Sequence, residues 1–342
     1  MSYWRFSRPA NSAHLSTSSS KPVALLYVKI LLGTCASLVI ALELLSSYIA
    51  QHYSVTFTRV SKQHNEATKI RPGPPGGPIS VLMVGNSLLL DGVDIRRLHE
   101  LTSRNLRIYP IFLEATGYYD WLYGLRHLFR QGARPQVVVI GLEAYSALAD
   151  SVSDQSPMLL FGPPDILDVA SQLGLGHTET SNLLLSHMST FWGMRTFFRR
   201  RILSGLVPHY QDLFPFIRPG DLAIPQGREL ETGITSRMRT LRELCEAHGA
   251  KLILLIPPTP SSQNAVRRMA VAAGNAGVET LVPVEPSALP DQFYYADRFH
   301  LNPDGAVRFT SALAVDLPKT IAAVFTAQRS DTESESHITN FD

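Results

Sequence analysis

The chain has 342 residues, a formal net charge of +2 and 18% charged residues, enough for one large α/β domain with additions or for two small domains. So even a charge balance excludes the strongly basic surface that holds nucleic acid, and no nucleic-acid partner is expected. Two cysteines, Cys35 and Cys245, exclude a disulfide scaffold and a cysteine metal cluster; no metal or cofactor is expected.

Residues 1–22 are polar and Ser-rich, with Arg5, Arg8 and Lys21 and no acid. Residues 23–50 are mostly apolar, longer than the roughly 20 residues that a spanning helix needs. Lys29 and Glu43 interrupt the run near its two ends, where long charged side chains reach the interface. The positive flank predicts a single-pass signal anchor, with residues 1–22 as a cytoplasmic tail and everything after Ala50 outside. The competing reading is a cleaved signal peptide with Ile30 to Leu42 as its apolar region. Residues 51–78 read as a stalk, because Arg71-Pro-Gly-Pro-Pro-Gly-Gly-Pro78 suits neither helix nor sheet.

A βα rhythm starts at Ile79. Strands are expected at 79–84, 106–113 and 136–140, with helices at 93–103 and 118–130 between them. The rhythm fails over 144–231, a stretch with Gly162-Pro-Pro164 and the basic-aromatic run Arg195-Thr-Phe-Phe-Arg-Arg-Arg201. This reads as a helical insertion, a lid or substrate-binding element, and the run as either a solvated helix face or a site for an anionic partner. The rhythm returns with a helix at 233–248 closed by Gly249, a strand at 251–256, a helix at 263–273 and a strand at 278–284. Asn302-Pro303 caps and starts a last helix that should reach about Thr326, with a polar, disordered tail over 327–342. Alternating strands and helices at this spacing predict a three-layer α/β domain over 79–326, a parallel sheet with helices on both faces.

The chemistry gathers at two places. Val81-Leu-Met-Val-Gly-Asn-Ser87 is a buried strand that breaks into a turn and ends on a hydroxyl, at the carboxyl edge where open α/β sheets place ligands. Asp297-Arg-Phe-His300 occupies the loop after the last strand. A serine hydroxyl needs a base to become a nucleophile, and a carboxylate beyond the imidazole fixes that base. Ser87, His300 and Asp297 supply the three groups. No Gly-x-Gly-x-x-Gly follows the first strand, as a dinucleotide site would need, and Leu88-Leu89 after Ser87 breaks the Gly-x-Ser-x-Gly pattern.

Gly85-Asn86-Ser87 after the first strand and Asp297-x-x-His300 before the final helix resemble the two end blocks of the SGNH (GDSL-like) hydrolase superfamily, over about residues 79–325. The resemblance implies an oxyanion hole made by the Ser87 amide, a glycine after the second strand and an asparagine after the third. Gly117 suits the second place, but the third strand leads into Gly141-Leu-Glu143 with no asparagine. The anchored layout is similar to that of the proteins that acetylate alginate and other exopolysaccharides and of the D-alanine transfer protein of teichoic acid synthesis. That similarity implies a periplasmic-side esterase or O-acyltransferase that meets an acyl donor or acylated glycan, often beside a multi-pass membrane acyltransferase. The alternative is a degenerate module that binds glycan or docks to such a partner.

Overall fold

The computed structural model describes residues 20–207, 227–259 and 263–338. Residues 1–19 of the expected cytoplasmic tail, 208–226 of the expected insertion and the last four residues lie outside the described residues. The chain divides into two units, residues 1–45 and 46–342.

Helix α1 (Ser20–Tyr53) carries the apolar run, and its stretch Val23–Tyr53 is long and apolar enough to cross a membrane. Up to Leu45 its large apolar side chains are exposed, whereas Ser46 and Ala50, in the second unit, are buried.

The expected stalk over 51–78 is a correction, because most of it belongs to the folded unit. Helix α2 (Val55–Ala67) begins at Ser54, whose hydroxyl accepts from the Phe57 amide at 3.2 Å. Phe57, Val60, His64 and Ala67 recur at three- and four-residue intervals and form one stripe. Val60 and Ala67, with Ile70 beyond the helix, are fully buried. Burial also lowers the pKa of the His64 imidazole, against the hydrogen bond to Gln131 that raises it. The Pro/Gly stretch after Ile70 remains a loop, with Gln136 Oε1 accepting from the Gly73 and Ser80 amides at 3.0 Å each.

The sheet consists of β1 (Ile79–Gly85), β2 (Leu106–Phe112), β3 (Val137–Gly141), β4 (Lys251–Leu255) and β5 (Glu279–Leu281). The order is β2-β1-β3-β4-β5 and every pairing is parallel. Such a sheet needs cover on both faces. Leu82, Val84, Val138, Ile140 and Leu254 face one core, Val81, Met83, Val139, Ile253 and Leu255 the other. The first core takes in α5 (Tyr118–Arg130), α12 (Arg228–Glu246) and α13 (Gln263–Asn275); the second takes in α4 (Ile95–Thr102) and α14 (Pro303–Ile338). As the edge strand, β2 needs its own cover. From α2, Arg59 donates to the Phe112 carbonyl, and Gln63 Oε1 accepts from the Phe112 amide at 3.3 Å.

Three boundaries differ from expectation. The helix expected at 93–103 forms as α4, which starts after Asp94, whose carboxylate accepts from the Arg97 amide at 3.0 Å, but a further short helix that was not expected, α3 (Ser87–Gly92), precedes it directly after β1. The last strand is three residues long, shorter than the apolar run 278–284. Residues 327–338, expected as disordered, continue α14, since extending a formed helix fixes one residue per added hydrogen bond.

Within 144–231 lie α6 (Ala144–Leu148), α7 (Ser156–Leu159), α8 (Pro163–Gln172), α9 (His177–Met188), α10 (Thr190–Gly193) and α11 (Arg195–Leu206), before α12 begins at Arg228. Leu160, Ile166 and Val169 join the α5-side core, so this segment is continuous with the domain. The basic run opens α11, where Arg195 pairs with Asp154 at 3.1 Å and Arg199 and Arg201 are exposed.

If residues before Ile79 belong to the core, Ile70→Ala lowers the unfolding free energy of the 46–342 unit by about 2–5 kcal/mol in urea titration. A change within about 0.5 kcal/mol, the range of an ordinary surface substitution, would return this segment to the status of a stalk.

Candidate active site

Ser87 stands at the first position of α3, directly beyond the carboxyl end of β1. Gly85 on β1 lies opposite Gly141 on β3. A Cβ on Gly85 would come within 2.7 Å of Leu89, and one on Gly141 would also collide with Leu89. The missing side chains let α3 settle onto the strand ends. Asn86 caps it: Oδ1 accepts from the Leu88 amide at 3.0 Å, and the backbone carbonyl accepts from Leu89 and Leu90 at 3.1 Å each. At the first helical position the Ser87 amide has no acceptor within the helix.

The loop between β5 and α14 delivers the partner. Tyr294 and Leu301 form an antiparallel bridge, and the Tyr295 amide donates to the His300 carbonyl at 2.9 Å. Arg298 takes φ 57° at the tip and its guanidinium pairs with Asp291. Asn302 Nδ2 donates to the Gln292 carbonyl at 2.7 Å, while Oδ1 accepts from Gly305 at 3.0 Å. So pinned, the loop holds His300 Nε2 2.8 Å from Ser87 Oγ. His300 Nδ1 lies 2.6 Å from Asp297 Oδ2. Asp297 Oδ1 accepts from the Phe299 and His300 amides at 2.9 and 3.1 Å. Partial burial works against a charge on Asp297, but the bond to the imidazole and those to the two amides outweigh it and lower the carboxyl pKa. Residues 213 positions apart thus meet as hydroxyl, imidazole and carboxylate. The imidazole's Nδ1 hydrogen goes to the carboxylate, leaving Nε2 to accept from the serine.

Gly117, expected to donate to an oxyanion, is otherwise engaged. Its amide donates to Asp120 Oδ2 at 2.8 Å, and a Cβ there would stand 2.6 Å from the Ser146 carbonyl. Asp120 is fully buried, which pushes its carboxyl up to about 6 against the hydrogen bonds that favour its charge. Glu143, in the place of the usual asparagine, is buried at the N-cap of α6. Burial raises its carboxyl, opposed by hydrogen bonds from Ser146 and Tyr145.

Sequence reasoning missed three charged residues near these groups. Arg59 holds both Glu114 oxygens at 3.0 Å. Asp91, on α3, has its carboxyl pushed up chiefly by burial; the charge of His300 opposes this, while Glu114 and Asp297 add to it. The signal for Arg59 was the stripe that makes α2 a packed helix; Asp91 and Glu114 belong to no motif. Among the described residues, no three His, Cys, Asp or Glu side chains converge as metal ligands.

No family model matches this chain, and neither does any curated protein. Its similarity to solved structures is low. TesA is 15% identical, the match covering 70% of this chain and 99% of TesA, with a TM-score of 0.37. LAE5, described as an alpha/beta hydrolase enzyme from the metagenome of Lake Arreo in Spain, is 11% identical, with coverages of 70% and 95% and a TM-score of 0.37. A variant of Axe2, an acetyl xylan esterase from Geobacillus stearothermophilus, is 11% identical, with coverages of 70% and 94% and a TM-score of 0.36.

A carboxyl whose folded-state pKa is lowered stabilises the fold at pH above its unfolded value, and that contribution disappears as pH falls through the folded value. Thermal melts should therefore separate wild type from Asp297→Asn at neutral pH and bring them together below about pH 4, the ordinary range of the group. A gap that stays constant down to strong acid would mean that Asp297 makes no charge-dependent contribution.

Proposed function

We propose that this chain is a membrane-anchored serine acyl-ester enzyme, an O-acyltransferase or esterase, whose domain works outside the cytoplasmic membrane on a cell-envelope polysaccharide. The observation that carries the chemistry is the continuous chain from Ser87 Oγ to His300 Nε2 at 2.8 Å and from His300 Nδ1 to Asp297 Oδ2 at 2.6 Å. The apolar stretch Val23–Tyr53 supports the anchor, and the positive flank before it supports the orientation. The resemblance of the two end blocks to SGNH hydrolases supports the reaction class, and the anchored layout supports a glycan acceptor and a multi-pass acyltransferase as partner.

In this reading Ser87 Oγ attacks the acyl carbonyl carbon as its proton passes to His300 Nε2, and Asp297 stabilises the imidazolium that forms. The negative oxygen of the tetrahedral intermediate is met by the Ser87 amide. His300 then gives its proton to the departing oxygen, leaving the acyl group on Ser87. A sugar hydroxyl or water attacks that ester and loses its proton to His300, and Ser87 leaves with the proton returned. Gly117 joins the oxyanion hole only if its amide exchanges Asp120 for the oxyanion.

That engagement of Gly117, together with Glu143 where an asparagine is usual, favours a second reading: a degenerate module that binds glycan or docks to a membrane acyltransferase. A fluorophosphonate probe separates the two. The enzyme labels as the full chain in detergent, and both Ser87→Ala and His300→Ala lose the label, the latter by at least about a hundredfold in rate, as removal of a general base requires. No labelling of a folded wild-type chain selects the binding module.

A further inference from the structure

Glu143 is 4% exposed, and its carboxylate has a definite set of donors. Oε1 accepts from the Ser146 amide at 2.9 Å and from the Ser146 hydroxyl; Oε2 accepts from the Tyr145 amide. A hydroxyl has one hydrogen, and Ser146 gives it to Glu143. Its oxygen must therefore accept from Asn86 Nδ2, which lies at 3.0 Å. The second Nδ2 hydrogen faces the Thr116 carbonyl at 3.4 Å. With its nitrogen so committed, Asn86 turns Oδ1 toward the Leu88 amide, one residue beyond Ser87. Each donor and acceptor in this series is fixed by the one before it, and the series starts at a group that, when ionised, only accepts.

We propose that Glu143, acting through Ser146 and Asn86, is a positioning residue for the nucleophile. It sets which end of the Asn86 amide caps α3, and so fixes the first turn of the helix on which Ser87 is presented to His300. This rests on the reading of Ser87 as a nucleophile and adds to it the function of the glutamate that replaces the usual asparagine. Glu143 touches no reacting atom. Its effect belongs to the rate at which bound acyl compound reacts, not to binding.

Ser146→Ala is the discriminating variant, because it removes the bridging hydroxyl and leaves the bond between Glu143 and the Ser146 amide. The full chain in detergent is labelled with a fluorophosphonate over a concentration series, giving a maximal rate and a half-saturating concentration, and each variant is melted. Ser146→Ala should lower the maximal rate about tenfold, a misplacement of well under 1 Å, with half-saturation within about twofold of wild type. Ser146→Thr, which keeps a hydroxyl, should recover most of the rate, and Glu143→Ala, which removes the acceptor of that hydroxyl, should fall with Ser146→Ala. A wild-type rate in Ser146→Ala would overturn the proposal. So would a loss that follows the melting temperature in all three variants and is not recovered by threonine, since that describes a structural cap alone. A folded wild type that takes no label overturns the acyl-ester reading itself, and this proposal with it.

Discussion

Leu89 lies in a notch that only two glycines can leave open. Gly85 and Gly141 face each other across neighbouring strands at the carboxyl edge, and the leucine from the first turn of α3 fills the space that their side chains would take. Close packing makes such a fit sensitive to a single methyl group. With Leu89 seated, α3 cannot slide along the sheet, and Ser87, two residues earlier, has a fixed height above the strand ends. The placement of the hydroxyl opposite His300 depends on this contact, in which none of Ser87, Asp297 and His300 takes part.

Polar groups around the same edge are arranged by a second constraint, that buried donors and acceptors must be matched. Asn86, Thr116, Asp120, Glu143 and Ser146 are all buried, and all take part in hydrogen bonds. Two are carboxylic acids, and each accepts from amides at the start of a helix: Asp120 from Gly117, Glu143 from Tyr145 and Ser146. The loops after β2 and β3 are thereby made rigid on either side of the serine. The cost is that the Gly117 amide, which the resemblance places in an oxyanion hole, already has an acceptor.

The strands were legible in the sequence where they are buried on both faces. Apolar runs marked β1, β3 and β4 to within one residue or two, because a central parallel strand leaves no polar face to confuse the pattern. At the sheet edge the run 278–284 was too long by four residues, since apolar composition there reflects loop packing as well as pairing. The segment 51–78 was misjudged because α2 is polar except for one narrow stripe, and Pro and Gly beyond it dominate the composition. Ser87, Asp297 and His300 were legible because each lies in a short motif at a predicted strand end or helix start. The commitments of Gly117 and Glu143 were not, because the acceptor that an amide finds, or the hydroxyl that a carboxylate holds, is decided by tertiary neighbours.

The long interval between Ser87 and His300 has a consequence for the chain as it is made. Synthesis runs from the amino end at about 5–20 residues per second, so the 213 residues between the two take roughly 10–40 s to follow. During that interval the imidazole that will face Ser87 has not yet been made. A chain stopped anywhere before the last loop has Ser87 without its imidazole and carboxylate partners, which come into place only when β5 has joined the sheet and α14 has begun. Completion of the fold and assembly of the serine, imidazole and carboxylate are then one event, and in the proposed acyl-ester reading prematurely terminated chains are inert.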